Sequence, residues 1–138
     1  MTDDVGRRVE FLGLGTMGSR MARRLLDGGY RVAVYNRTPD RARPLLEAGA
    51  SLAPAPRALS DESHVVFYSL TNDVAVRDVV LGAEGLLAGA RRGSILVDLS
   101  TVLPATSQTV SSAAHSRDVA AIDAPVSGST PQAEQGIW

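Results

Sequence analysis

The sequence predicts an α/β fold with a doubly wound parallel sheet, and three observations carry that prediction. Short apolar runs alternate with helix-length amphipathic segments along the whole chain. Most of the runs, such as Val65-Val66-Phe67-Tyr68 and Ile95-Leu96-Val97, are continuously apolar, as strands covered on both faces must be. The first run, Val9-Glu10-Phe11-Leu12, passes into Gly13-Leu14-Gly15-Thr16-Met17-Gly18 and then into a helical pattern. In that setting each glycine has a task. The first permits the tight turn, the second lets backbone approach a diphosphate, and the third lets the helix pack closely on the strand. The helix N-terminus adds free N–H groups and a partial positive charge. Glycine is 13 of 138 residues, so the spacing alone would arise by chance about 0.1 times in such a chain. The weight therefore falls on the residues downstream of the glycines.

The first strand runs from about Val9 to Gly13, and the first helix from Thr16 to the stop signal Gly28-Gly29. Met17, Met21 and Leu25 recur at helical spacing beside Ala22 and Leu26, which marks a buried face rather than a functional stripe. Arg31 to Asn36 forms the second strand and completes a β-α-β unit. Thr38-Pro39-Asp40 reads as a helix start with a hydroxyl cap, and Pro44 implies either a later start or distorted first turns. Ser51-Leu52-Ala53 is a short third strand, which Pro54-Ala55-Pro56 breaks before opening a brief helix through Leu59. His64 to Leu70 is a buried strand, and Thr71-Asn72-Asp73 caps a helix from about Val74 to Leu81. A glycine-punctuated connection carries a small helix at Leu86-Leu87. Ser94 to Asp98 is a strand, Pro104 starts a helix reaching about Ser116, and Val119 to Asp123 is the last clear strand. One Rossmann domain spanning residues 1–138 accounts for this order.

Composition narrows the function. A formal charge of −1 leaves no basic excess for nucleic acid. The absence of cysteine excludes disulfides and thiol chemistry, and no clustered set of ligands points to a metal. No signal core or membrane-length apolar run is present, so the expected compartment is the cytoplasm. His64 and His115 are assigned to surface or packing. All 14 basic residues are arginine.

The end of the second strand bears on the choice of coenzyme. An NAD-selective site carries an acid there to accept from the adenosine ribose, whereas this chain carries Asn36-Arg37-Thr38. Asn36 does not repel a 2′-phosphate, Arg37 offers a guanidinium fork and Thr38 a hydroxyl, so NADP is expected over NAD.

Together, Phe11-Leu12-Gly13-Leu14-Gly15-Thr16-Met17-Gly18, Asn36-Arg37-Thr38, Asp98-Leu99-Ser100-Thr101 and Asp123-Ala124-Pro125-Val126-Ser127-Gly128 resemble the β-hydroxyacid dehydrogenases, along essentially the whole chain. That family includes 3-hydroxyisobutyrate dehydrogenase, tartronate semialdehyde reductase and the glyoxylate/succinic semialdehyde reductases. The resemblance implies that Gly13, Leu14, Gly15, Thr16, Met17 and Gly18 hold the diphosphate. It places Leu70, Thr71, Asn72 and nearby Val76 on the ribose and adenine side, and Thr101 near the nicotinamide. Ser127 and Gly128, with Ser129 beside them, would bind the carboxylate of a small substrate. Capping or turn roles are the alternative for Thr101 and Ser127.

Two departures blur the substrate class: Ser129 stands where the family usually has glycine, and Gln132-Ala133 where it has Gly-Ala. The family also has an all-helical second domain carrying a catalytic lysine, and its members associate through that domain. This sequence has no lysine, so the expectation is the cofactor-binding half of an oxidoreductase without that domain, with activity of the isolated chain in doubt. The competing expectation is a free-standing, non-catalytic NADP(H)-binding or sensor module, with an imine reductase relative as a weaker third.

Overall fold

The computed structural model describes residues 8–61 and 64–126. Strand β1 (Arg8–Leu12) leads to helix α1 (Thr16–Asp27), and β2 (Arg31–Tyr35) to a 3₁₀ turn (Pro39–Ala42) and α2 (Arg43–Glu47). Next come β3 (Ser51–Leu52), α3 (Pro56–Ser60), β4 (Val65–Tyr68), α4 (Asp73–Leu81), α5 (Leu86–Gly89), β5 (Ile95–Asp98), α6 (Pro104–His115) and β6 (Ala120–Asp123). Among the described residues the strands form one six-stranded sheet in the order β3-β2-β1-β4-β5-β6. Every pairing is parallel. This is the doubly wound order in which the chain starts at the centre, fills one half, then returns to fill the other.

Alternate residues of one strand feed opposite layers. Phe11 and Val34 join Leu14, Met21, Ala22 and Leu45 on the α1–α2 side. Leu12 and Ala33 join Val66, Tyr68, Val76, Leu96 and Val110 on the side of α3 to α6. Two-sided burial is why the strands read as continuous apolar runs. The cover is uneven, however. Phe67 and Val97 are only partly buried on the first side, and Ile122 on the edge strand β6 is 48% exposed. Leu96 sits at the centre of the larger layer with no exposed surface. Leu96→Ala is expected to cost about 2–5 kcal/mol from lost burial and the residual cavity. Urea titration would register this as a lower midpoint, and an unchanged midpoint would contradict the packing described.

The region around Pro44 resolves the tension in the sequence. The chain takes a 3₁₀ turn first, so Pro44 falls in the opening turn of α2, where its missing N–H has no helical partner to lose. Thr38 occupies the cap position of the 3₁₀ turn, but its side chain makes no capping bond, contrary to expectation. Both histidines lie on the surface. Among the described residues no helix is long and apolar enough to cross a membrane.

Candidate functional site

The carboxyl ends of β2, β1, β4 and β5 stand in that order along one edge of the sheet, so loops 36–38, 13–15, 69–72 and 99–103 come together there. The strand order reverses between β1 and β4, where folds of this type open a ligand crevice.

The three glycines divide their tasks physically. Gly13 has φ +93°, and a Cβ there would lie 2.0 Å from the Ser69 carbonyl oxygen. Only glycine lets the first loop pass so close under the loop after β4. At Gly18 a Cβ would lie 2.0 Å from the Gly13 carbonyl oxygen and 3.3 Å from the Phe11 ring. That absence of a side chain seats α1 on the strand. At Gly15 no atom lies within 4 Å of the Cβ position, so its backbone faces open space. The first turn of α1 has no side-chain cap and no acidic residue. Its N–H groups and the positive end of the helix dipole are thus available to an anion. Thr16 beside them is exposed and Met17 partly so, whereas Leu14 is buried.

Asn36 joins two of these loops. Its Oδ1 accepts from the Leu14 N–H at 2.8 Å, and its Nδ2 donates to the Thr38 carbonyl at 2.9 Å. Arg37 and Thr38 are exposed at the rim. A groove of about 600 Å³ runs from Gly15 and Thr16 between α1 and residues 40–45, lined by Arg20, Arg23, Arg24 and Arg41. Across the crevice, the Leu70 N–H donates to the Ser100 Oγ at 2.8 Å. Asn72 caps α4 by accepting from the Ala75 N–H at 2.8 Å. Thr71 and Thr101 are exposed. Val76 is completely buried in the core, so it supports this wall from beneath. Ser127, Gly128 and Ser129 lie outside the described residues.

Asp98 fixes the loop after β5, since its Oδ1 accepts from the Ser100 N–H at 2.8 Å. Burial pushes the Asp98 carboxyl above its ordinary range, and the neighbouring Asp123 adds to the rise, outweighing the bonds from Ser100. The phenol of Tyr68 is pushed far up, first by burial and then by the charge of the neighbouring Asp98 carboxylate. Ser100 and Asp73 are the positions whose roles the sequence did not reveal. Ser100 lies inside a quoted motif, but its Oγ serves a backbone N–H 30 residues away.

The parallel sheet, the glycine-lined turn and the uncapped helix define a dinucleotide-binding domain of the Rossmann type. Residues 8–137 match the family described as the NAD binding domain of 6-phosphogluconate dehydrogenase. The chain belongs to that family, and within it resembles the cofactor-binding domain of the β-hydroxyacid dehydrogenases. It is 37% identical over 130 residues to the mitochondrial 3-hydroxyisobutyrate dehydrogenase-like 1 protein of Arabidopsis thaliana, covering 94% of this chain and 39% of the relative. It is also 37% identical over 131 residues to the cytokine-like nuclear factor N-PAC of Danio rerio, covering 95% and 28% respectively. Among solved structures, Psf3 in complex with NADP+ and 2-OPP superposes with a TM-score of 0.89 at 38% identity, over 93% of this chain and 45% of that one. The chain thus spans less than half the length of each of these relatives.

Proposed function

We propose that this domain binds NADP(H) in preference to NAD(H) and presents it, as part of an oxidoreductase, to a small β-hydroxyacid or its semialdehyde. One observation carries the reading. The crevice has an open backbone approach at Gly15 beside an uncapped helix, and the adjoining loop carries an exposed guanidinium and no carboxylate. Gly13 to Gly18 and the first turn of α1 hold the diphosphate. The Arg37 fork and the Thr38 hydroxyl take the 2′-phosphate, with Asn36 setting their loop. Leu70, Thr71 and Asn72 flank the adenosine, and Thr101 lies towards the nicotinamide. Ser127, Gly128 and Ser129 hold the substrate carboxylate. The bound nicotinamide supplies or accepts hydride, and the accompanying proton needs a donor at the substrate oxygen. The sequence has no lysine, so in this reading the donor sits on a helical domain outside these 138 residues. Such a domain would also provide the surface for self-association. The complex of a similar protein with NADP+ supports the coenzyme assignment.

A second reading, a binding module without chemistry, is favoured by a relative named as a nuclear factor. NADPH binding without turnover of any small hydroxyacid or semialdehyde, in the longest natural form of the protein, would select it.

Titration with NADPH and NADH tests the coenzyme assignment. Removing a charge-assisted contact worth about 1.5–3 kcal/mol in Arg37→Ala is expected to weaken NADPH by roughly ten- to a hundredfold and leave NADH nearly unchanged. Equal affinities of the unmodified chain for the two coenzymes would overturn the preference.

A further inference from the structure

We infer that Asp73 is a positioning residue whose carboxylate locks the adenosine-side and nicotinamide-side walls of the crevice into one unit. The inference rests on the coenzyme reading above. Asp73 opens α4, directly after Thr71 and Asn72 on the adenosine side. Its Oδ2 reaches across to the loop after β5, accepting from the Leu103 N–H at 3.0 Å and from the Thr106 hydroxyl at 2.5 Å. Thr106 is buried, and its Oγ1 also accepts from Arg77 Nη2 at 3.4 Å. Leu103 is the cap position of α6 and has no side chain able to cap. Asp73 therefore caps α6 from a segment 30 residues earlier in the chain.

The chemistry suits the task. A carboxylate in the first turn of α4 and against the start of α6 faces the positive ends of two helix dipoles. The Thr106 hydroxyl, followed by the Leu103 N–H, holds the Asp73 carboxyl below its ordinary range. It stays ionised, and so an acceptor, across the neutral range.

A second tie lies deeper, where Ser100 Oγ receives the Leu70 N–H. Ser100 joins the two loops near the sheet, and Asp73 joins them again beyond residue 100. Residues 101–103 between the ties have no regular structure. Without Asp73 that segment, which includes Thr101, would hang from Ser100 at one end and from an uncapped helix at the other. A ligand that touches only the adenosine wall has no need of the lock. A complete coenzyme, spanning both walls, does.

This difference is the test. Calorimetric titration of the 138-residue chain with 2′,5′-ADP and with NADPH reads the two walls separately. Asp73→Ala is expected to weaken NADPH roughly tenfold, within the ordinary range of coupling between sites, while leaving 2′,5′-ADP within about twofold. Asp73→Asn is expected to restore most of the loss, because its amide oxygen accepts the same N–H and hydroxyl. Thr106→Val, which removes one leg of the tie at nearly constant shape, should give the same split in smaller measure and serves if the alanine variant does not fold. Equal weakening of both ligands, no weakening of either, or no recovery with asparagine would overturn the positioning role. Failure of the unmodified chain to bind either ligand would strike the coenzyme reading instead.

Discussion

Alanine at Gly15 is expected to leave the fold standing and weaken coenzyme binding, whereas alanine at Gly13 or Gly18 is expected to destabilise the fold itself. The contrast comes from the atoms each missing Cβ would meet. At Gly13 it would press into the Ser69 carbonyl at 2.0 Å, in a backbone with φ +93°. Overpacking costs about 1–3 kcal/mol and the left-handed conformation about 1–3 kcal/mol more. That is a large share of the roughly 5–15 kcal/mol available to a domain of this size. At Gly18 the obstacle is the Gly13 carbonyl, again at 2.0 Å, and backbone cannot step aside as a flexible side chain can. Gly15 has an ordinary extended cap conformation, with φ −75°, and nothing within 4 Å of the Cβ position. Its replacement should cost at most about 1 kcal/mol of helix capping, but the new methyl occupies the space a diphosphate needs. Circular dichroism melts should therefore separate Gly15→Ala from the other two, and NADPH titration should show Gly15→Ala weakened by at least about tenfold, more than 1.4 kcal/mol. A folded Gly15→Ala that binds NADPH like the unmodified chain would remove the diphosphate from this turn.

That division of labour was legible in the sequence because spacing reports backbone demands directly. Strand, glycines and helix succeed one another without a gap, and the periods of two-sided strands and of α1 are set by burial. The boundaries shifted by a residue or two where burial gives no signal. β4, for instance, occupies Val65–Tyr68 inside the run expected from His64 to Leu70. Less was legible where a short polar side chain has several partners to choose from. Asn72 is an exception, since the cap expected at Thr71-Asn72-Asp73 is made by its carbonyl oxygen. Thr38 has the residue type and position of a cap and makes no such bond. Ser100 and Asp73 serve backbone groups in a loop 30 residues distant. No local pattern encodes such contacts, because they exist only once two parallel strands lie side by side. Val76 is the converse case. The family resemblance put it near the adenine side, but it lies in the core layer on that side of the sheet and has no exposed surface.

Asn36 is where these two kinds of information meet, and its substitution should change coenzyme choice rather than only affinity. The side chain uses its oxygen on the Leu14 N–H and its amide on the Thr38 carbonyl, so it holds the diphosphate loop against the loop bearing Arg37. Aspartate has nearly the same shape and keeps the first bond. It cannot keep the second, because its other oxygen would face the Thr38 carbonyl with no proton between them. The new charge would also stand beside the place proposed for a 2′-phosphate, while supplying the acceptor that an adenosine ribose hydroxyl needs. Asn36→Asp is therefore expected to weaken NADPH by roughly ten- to a hundredfold, from a lost bond and like-charge repulsion together, while NADH holds or improves. Asn36→Leu, which abandons both bonds, is expected to weaken both coenzymes alike. It should also lower stability by about 1–3 kcal/mol, because the Leu14 N–H is left without its acceptor. The ratio of the two affinities is thus the measurement that matters. Preference that survives aspartate unchanged would mean that discrimination is made away from the end of β2. Preference that inverts with aspartate and merely fades with leucine would tie selectivity to a carboxamide that need not touch the coenzyme.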